Sequence, residues 1–246
     1  MKRAGAALAV ALAIPGCGGD DEPEPRLVVS AASSMTEALT ECGREFDGAN
    51  VRLSFGGSDE LAAQVRQGVK PDVLASANTS IPEDLHDEGL LSRPAEFATN
   101  RLVIAVPRGS DVRETADLRR EGMTLAIGSE SVPIGAYTRE ALERLPGDEG
   151  ELILANVRSN EPDVKGIVGK LTQGAADAGI TYVTDVTAAG DALDAIPLPP
   201  AVEPDVTYAA GVVRGAKEPE LARRFVDELV EGGCADALAD AGFGKP

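Results

Sequence analysis

An α/β fold built on parallel sheet is what this sequence predicts, and three observations predict it. Short runs rich in Val, Ile and Leu alternate with segments of helical period, the pattern of strand–helix–strand units. The chain has 246 residues, 43% of them hydrophobic, enough to bury the core of one large domain or two modest ones. Ala, Gly, Val and Asp are abundant, which suits compact α/β packing with many turns. The charge balance narrows function as well. With 41 Asp and Glu against 23 Lys and Arg, the formal net charge is −18, which excludes a nucleic-acid-binding face that must neutralise phosphates. Aromatic residues are 3% and Trp is absent, against sugar stacking or aromatic-cage recognition.

The first segment reads as an address. Residues 1–16 form a signal peptide, with Lys2 and Arg3 ahead of the apolar stretch Ala4–Ile14. That stretch is about half the roughly 20 residues a bilayer-spanning helix needs. Ile14-Pro15-Gly16-Cys17 resembles the lipobox of bacterial lipoproteins, with Pro15 a departure from the usual small or polar residue. Residues 17–25 are then a lipidated Cys17 followed by a polar, proline-spaced tether. An ordinary signal peptide with a chance cysteine is the alternative. In an exported chain Cys42 and Cys234 read either as a disulfide or as two buried thiols, and the residues leave both open.

Along the body, Arg26–Ser30 predicts a strand, and Ala31–Ser34 a turn into a helix over Met35–Phe46. Ser34 and Glu37 have the spacing of a capping box. Val51–Phe55 predicts a strand, Gly56-Gly57-Ser58 a turn, and Asp59–Gln67 a helix with two acidic residues in its first turn. Strands follow at Pro71–Ser76 and Arg101–Val106, with a short helix at Ile81–Glu88 between them. The second half repeats the scheme. Strands are expected at Thr124–Ile127, Leu152–Ala155, Ala178–Val183 and Thr207–Val213. Helices are expected at Ala136–Leu145, Val164–Gln173 and within Glu218–Ala241, with Ser159–Asp163 a turn and Pro162 in the first turn of the helix after it.

Four of these units place hydroxyl or amide side chains and free backbone N–H groups just before a helix. Unpaired donors and the positive end of the helix dipole then point the same way, as an anion site requires. Serines also cap helices for purely structural reasons, so each unit alone reads either way. Signs of an enzyme are sparse. His86 is the single histidine and sits in the acidic segment PEDLHDEG, with no GxSxG elbow anywhere. Clustered zinc-ligand spacing and the Gly-rich phosphate loops GxxxxGKS and GxGxxG are absent too.

Five stretches in order, SAASSMTEAL, SFGGSDELAAQV, KPDVLASAN, SVPIGAYTREAL and SNEPDVKGIVGKLTQGAADAGITYVTDV, resemble the periplasmic molybdate-binding proteins, the ModA family of ABC importers. The resemblance spans about Leu27–Phe243. It implies a type II periplasmic-binding-protein fold, two α/β lobes joined by two crossing strands, with lobe 1 at 26–105 plus 205–246 and lobe 2 at 106–204. It implies a ligand, molybdate or tungstate, held by Ser34 and Ser58 of the first lobe through hydroxyl and main-chain N–H. From the second lobe it implies main-chain N–H groups of Ile134 and Val164 and the Tyr182 hydroxyl. Ile134 is larger than the family's usual residue, and Gly56-Gly57 replaces a more serine-rich run. No separate cofactor or catalytic residue is implied. The implied role is that of an exported, lipid-anchored monomer on the outer face of the cell membrane, delivering its anion to a membrane permease. A binding protein for sulfate or thiosulfate, a two-lobed enzyme and a sensor are the competing readings.

Overall fold

The computed structural model describes residues 24–246, so the leader, Cys17 and most of the tether lie outside the described residues. Ten strands form two five-stranded sheets. In the first, β1 (Arg26–Ala32), β2 (Asn50–Gly56) and β3 (Val73–Ser76) run parallel, β10 (Val206–Val212) runs against β3, and β4 (Ala95–Asn100) runs against β10. The order is β2-β1-β3-β10-β4. The second sheet contains β5 (Leu102–Pro107), β6 (Leu125–Gly128), β7 (Val157–Glu161), β8 (Ala178–Tyr182) and β9 (Leu193–Pro197), in the order β7-β6-β8-β5-β9. Here β6 is parallel to β7 and β8, while β5 runs against β8 and β9.

The two sheets share one plan. Each has three parallel strands and then an antiparallel strand that arrives from the other lobe: β10 in the first, β5 in the second. Both crossings lie side by side, because Asn100 at the end of β4 pairs with Val206 at the start of β10. Parallel strands need both faces covered, and β3, β6 and β8 are buried at every position. In the first lobe α1 (Thr36–Glu45), α8 (Pro219–Glu231) and α9 (Gly233–Asp240) pack together, while α2 (Ser58–Arg66) packs with α3 (Ser80–Asp87) over the satellite core Leu61, Val65, Leu74, Leu85, Leu91. In the second lobe α4 (Pro133–Glu143) packs with α5 (Glu149–Leu154), and α6 (Val164–Thr172) with α7 (Val183–Ala189). Cys42 of α1 and Cys234 of α9 form a disulfide with Cα atoms 4.8 Å apart, tying helices 192 residues apart in sequence. No helix among the described residues is long and apolar enough to cross a membrane.

Several expectations need correction. Leu152–Ala155 is not a strand: Glu149–Leu154 is helix α5, and the strand is the following Val157–Glu161, where a turn was expected. A short apolar run carries no period of its own, and the acidic first turn (Glu149, Glu151) suits a helix start. The Ser34–Glu37 capping box does not form. Ser34 lies in a 3-10 turn, Ser33–Met35, with its hydroxyl at Tyr208, and Glu37 reaches Lys165 instead. Pro162 stands before the helix rather than in it, because Asp163 is the N-cap of α6. The first crossing falls at Arg101, not at 105/106, since Leu102–Ala105 already pair with β8. Strands β4 and β9 and helix α7 were not anticipated.

Candidate functional site

The carboxyl ends of the parallel strands of both sheets face one another, and their turns line a single small cavity of about 20 Å³. Open α/β sheets place ligand sites at these strand ends. From the first lobe come Ala32, Ser33 and Ser34 after β1, Gly56-Gly57-Ser58 after β2, and Ala77 after β3; Val132, Pro133, Ile134, Asp163, Val164 and Tyr182 come from the second. All five residues singled out above, Ser34, Ser58, Ile134, Val164 and Tyr182, are in this lining. The structure brings together residues spread over nearly 150 positions of sequence.

Three helices begin at the cavity wall. Ser58 is the first residue of α2, Pro133-Ile134 open α4, and Val164 opens α6. The first N–H groups of a helix have no intrahelical partner, so each start presents donors along with the positive end of its dipole. Proline at the first position of α4 has no N–H, which leaves Ile134 the first donor there. At α6 the Asp163 Oδ1 accepts from the Gly166 N–H at 2.9 Å, so the cap is satisfied two residues beyond Val164.

The side-chain donors are oriented by their neighbours. Ser58 Oγ accepts from the Ala77 N–H at 3.1 Å, and Ser34 Oγ lies 3.1 Å from the Tyr208 hydroxyl. The Tyr182 hydroxyl is buried with no hydrogen-bond partner among the described residues. Burial pushes the Tyr182 phenol well above its usual range, with Tyr208, Tyr137 and Asp185 nearby adding to the effect; burial likewise raises Tyr208. Both therefore keep their protons at neutral pH. Asp163 is the only ionisable carboxylate in the lining, and neither Lys nor Arg is among these residues. Sequence reading missed Tyr208 and Asp163. Nothing local marks Tyr208, which arrives from the returning strand β10; Asp163 was legible as a cap ahead of an apolar helical run.

The lobes meet around this cavity. A Cβ on Gly57 would sit 2.5 Å from the Pro162 carbonyl oxygen of the other lobe, so glycine is what admits the close approach. Ser131 donates to Asp59 Oδ2 at 2.6 Å across the seam. Lys165 Nζ donates to both carboxylate oxygens of Glu37 at 2.9 Å and lies 3.3 Å from Asp185 Oδ1 in its own lobe. Asp185 is fully buried and its oxygens accept no hydrogen bond among the described residues, so Lys165, 3.3 Å away, is its compensating charge. His86 is elsewhere, on α3, its Nδ1 3.2 Å from the Leu91 carbonyl. Among the described residues no cluster of three or more metal-ligating side chains occurs.

A cavity walled by peptide N–H groups and hydroxyls, without a cation, suits an anion whose oxygens accept hydrogen bonds and offer none. The chain is similar to known proteins over most of its length. The family described as "Bacterial extracellular solute-binding protein" matches residues 27–244. The molybdate-binding protein ModA of Mycobacterium tuberculosis is 36% identical over 227 residues, covering 89% of this chain and 85% of its own length. Among solved structures, the periplasmic molybdate-binding protein of Azotobacter vinelandii superposes with a TM-score of 0.78 at 21% identity, covering 89% of this chain and 99% of its own. The sulfate-binding protein SubI of M. tuberculosis reaches 0.80 at 16% identity, over 89% of this chain and 86% of its own. At those identities the two structures speak for the fold alone.

Proposed function

The chain belongs to the bacterial extracellular solute-binding proteins, in the ModA family, and from that premise we propose that it captures molybdate or tungstate between its lobes and delivers it to an ABC transporter permease. The observation that supports this most is the convergence of Ser34, Ser58, Ile134, Val164 and Tyr182, from both lobes, on one cation-free cavity. A tetrahedral dianion with no proton of its own needs donors only. Hydroxyls and helix-start N–H groups supply them at contact distance. The net charge of −18 opposes capture little, because surface charge is screened beyond roughly 8 Å at physiological salt. Donors arriving from both lobes favour the closed arrangement over an open one when the anion is present.

Cys17 is the proposed lipid anchor, following cleavage of residues 1–16, and residues 18–25 are the tether between membrane and lobes. We read the working unit as a monomer, since the cavity is completed within one chain. Calorimetry of the purified chain with molybdate, tungstate and sulfate tests the substrate. Tight binding of the first two with weak sulfate binding is expected, because a donor set spaced for the larger tetrahedra would leave sulfate's oxygens short of some donors. Tight sulfate binding would keep the role and change the cargo; silence toward all three would remove the oxyanion reading.

A further inference from the structure

Behind Ser34 lies a chain of hydrogen bonds whose direction is set at the crossing between the lobes. The peptide N–H of Arg101 can only donate, and it meets the side chain of Asn100 at 2.9 Å, which makes that atom the amide oxygen. The amide nitrogen of Asn100 then faces Thr184 Oγ1 at 2.9 Å and the Tyr208 hydroxyl oxygen at 3.4 Å, and a nitrogen of this kind only donates. Tyr208 is buried and its own proton needs an acceptor; Asn100 offers it only a donor, so among its partners in the described residues Ser34 Oγ at 3.1 Å is the one that can take that proton. The distance between the two hydroxyls is silent about which one donates; Asn100 decides it. Ser34 cannot return its proton toward Tyr208 and has the cavity as the place to send it. All three residues are buried, Asn100 at 7% exposure, Ser34 at 4% and Tyr208 at 0%, so water does not scramble the order.

We propose that Tyr208 and Asn100 are positioning residues that lock the Ser34 hydroxyl as a donor toward the bound anion, and that this lock helps exclude oxyanions carrying a proton. The inference rests on the oxyanion reading above and adds the means by which one of its donors is fixed. A protonated oxyanion such as hydrogen phosphate must donate its O–H to some acceptor. For Ser34 to accept, its hydroxyl has to turn, and its proton then meets the one Tyr208 is already presenting. Ser58 is held in the same sense by different means, a peptide N–H from Ala77 that cannot reverse. The Ser34 lock rests on side chains, and so it can be dismantled.

The test is molybdate affinity and the phosphate concentration that displaces molybdate, in the wild type, Tyr208→Phe and Asn100→Asp. Tyr208→Phe retains the ring that packs edge-on against Phe97, Tyr182 and Phe243, so the fold should persist. It should weaken molybdate about threefold to tenfold, and phosphate should lose less, so the molybdate-to-phosphate ratio narrows. Asn100→Asp reverses the chain: a carboxylate accepts from Tyr208, Tyr208 accepts from Ser34, and the Ser34 proton turns away from the cavity. Its molybdate loss should exceed that of Tyr208→Phe, at about tenfold or more. If wild type binds molybdate and Tyr208→Phe leaves both affinities unchanged, or lowers them in proportion, the lock is refuted. A wild type that binds no molybdate would instead overturn the oxyanion reading itself.

Discussion

The two lobes contribute to the same cavity by different chemistry. Lobe 1 brings serine hydroxyls, Ser34 and Ser58, each held by a neighbour that fixes its direction. Lobe 2 brings main-chain N–H groups at the starts of α4 and α6, with the one hydroxyl of Tyr182. Their buried carboxylates differ as well. Asp72 of lobe 1 accepts from the N–H groups of Val28, Lys217 and Glu218, at 2.7 to 3.1 Å, and is satisfied within its lobe. Asp185 of lobe 2 accepts no hydrogen bond among the described residues and depends on Lys165, whose ammonium also reaches across to Glu37. Lobe 1 is also stapled by Cys42–Cys234, while no disulfide is seen in lobe 2 among the described residues. The first lobe presents mainly side-chain hydroxyls. The second presents mainly main-chain N–H groups, and the lysine that compensates its buried carboxylate also pairs across the seam.

The comparison breaks most completely at the seam. Gly57→Ala places a methyl carbon 2.5 Å from the Pro162 carbonyl oxygen, while the residue's own φ of −64° accepts alanine without strain. Affinity for molybdate should fall by about a hundredfold through loss of closure, with the melting temperature of the ligand-free protein nearly unchanged; calorimetry and a thermal scan together check both halves. Next comes the first lobe's donor. Ser58→Ala should cut affinity at least about tenfold, since a charge-assisted donor is worth roughly 1.5–3 kcal/mol. Unchanged affinity would remove Ser58 from the site.

A third measurement separates the buried carboxylates. Burial pushes the Asp185 carboxyl up to about 7, against the opposing pull of Lys165 and with help from Glu37 and Asp163. An unfolded Asp releases its proton near pH 4. Between those values the folded chain holds more protons than the unfolded one, so this group's contribution to stability falls as pH rises from about 4 to about 7. Asp185→Asn should flatten that fall, shifting the wild-type-to-variant difference in melting temperature by about 8–16 °C across the range, the equivalent of about 4 kcal/mol in a chain of this size. A constant difference would mean the carboxyl does not titrate there. The smallest effect is expected where the second lobe offers only backbone: Ile134→Val should change affinity by less than about twofold, because trimming one buried methyl leaves the N–H where it is.

How legible each part was follows from how local its cause is. Strands β1, β3, β6 and β8 were readable because strands buried on both faces are written as apolar runs, whereas the edge strand β2 (NVRLSFG) shows as alternation of apolar and polar residues. Strand β4 (AEFATN) was not, since its alternating, half-polar pattern needs its partner β10 to become a strand. Helix α7 was hidden inside YVTDV, where β-branched residues favour a strand until Tyr182 ends one and caps the other. The five site residues came from resemblance to a family, and only for the serines did their own residue type suggest the role. Ile134 and Val164 carry no mark of a donor in their side chains, because the atom that matters is shared by every residue but proline.

The sequence by itself determined the α/β class and the serine turns after β1 and β2, because those depend on residue type and short-range period. Tertiary structure alone decided which turns face one another, the seam at Gly57, and the pairing of Lys165 with carboxylates of both lobes. It decided the direction of the Ser34 proton too, through Tyr208 and Asn100. Hydrogen-bond polarity and charge compensation are properties of contacts between residues as far as 174 positions apart, and no local window of sequence contains both partners.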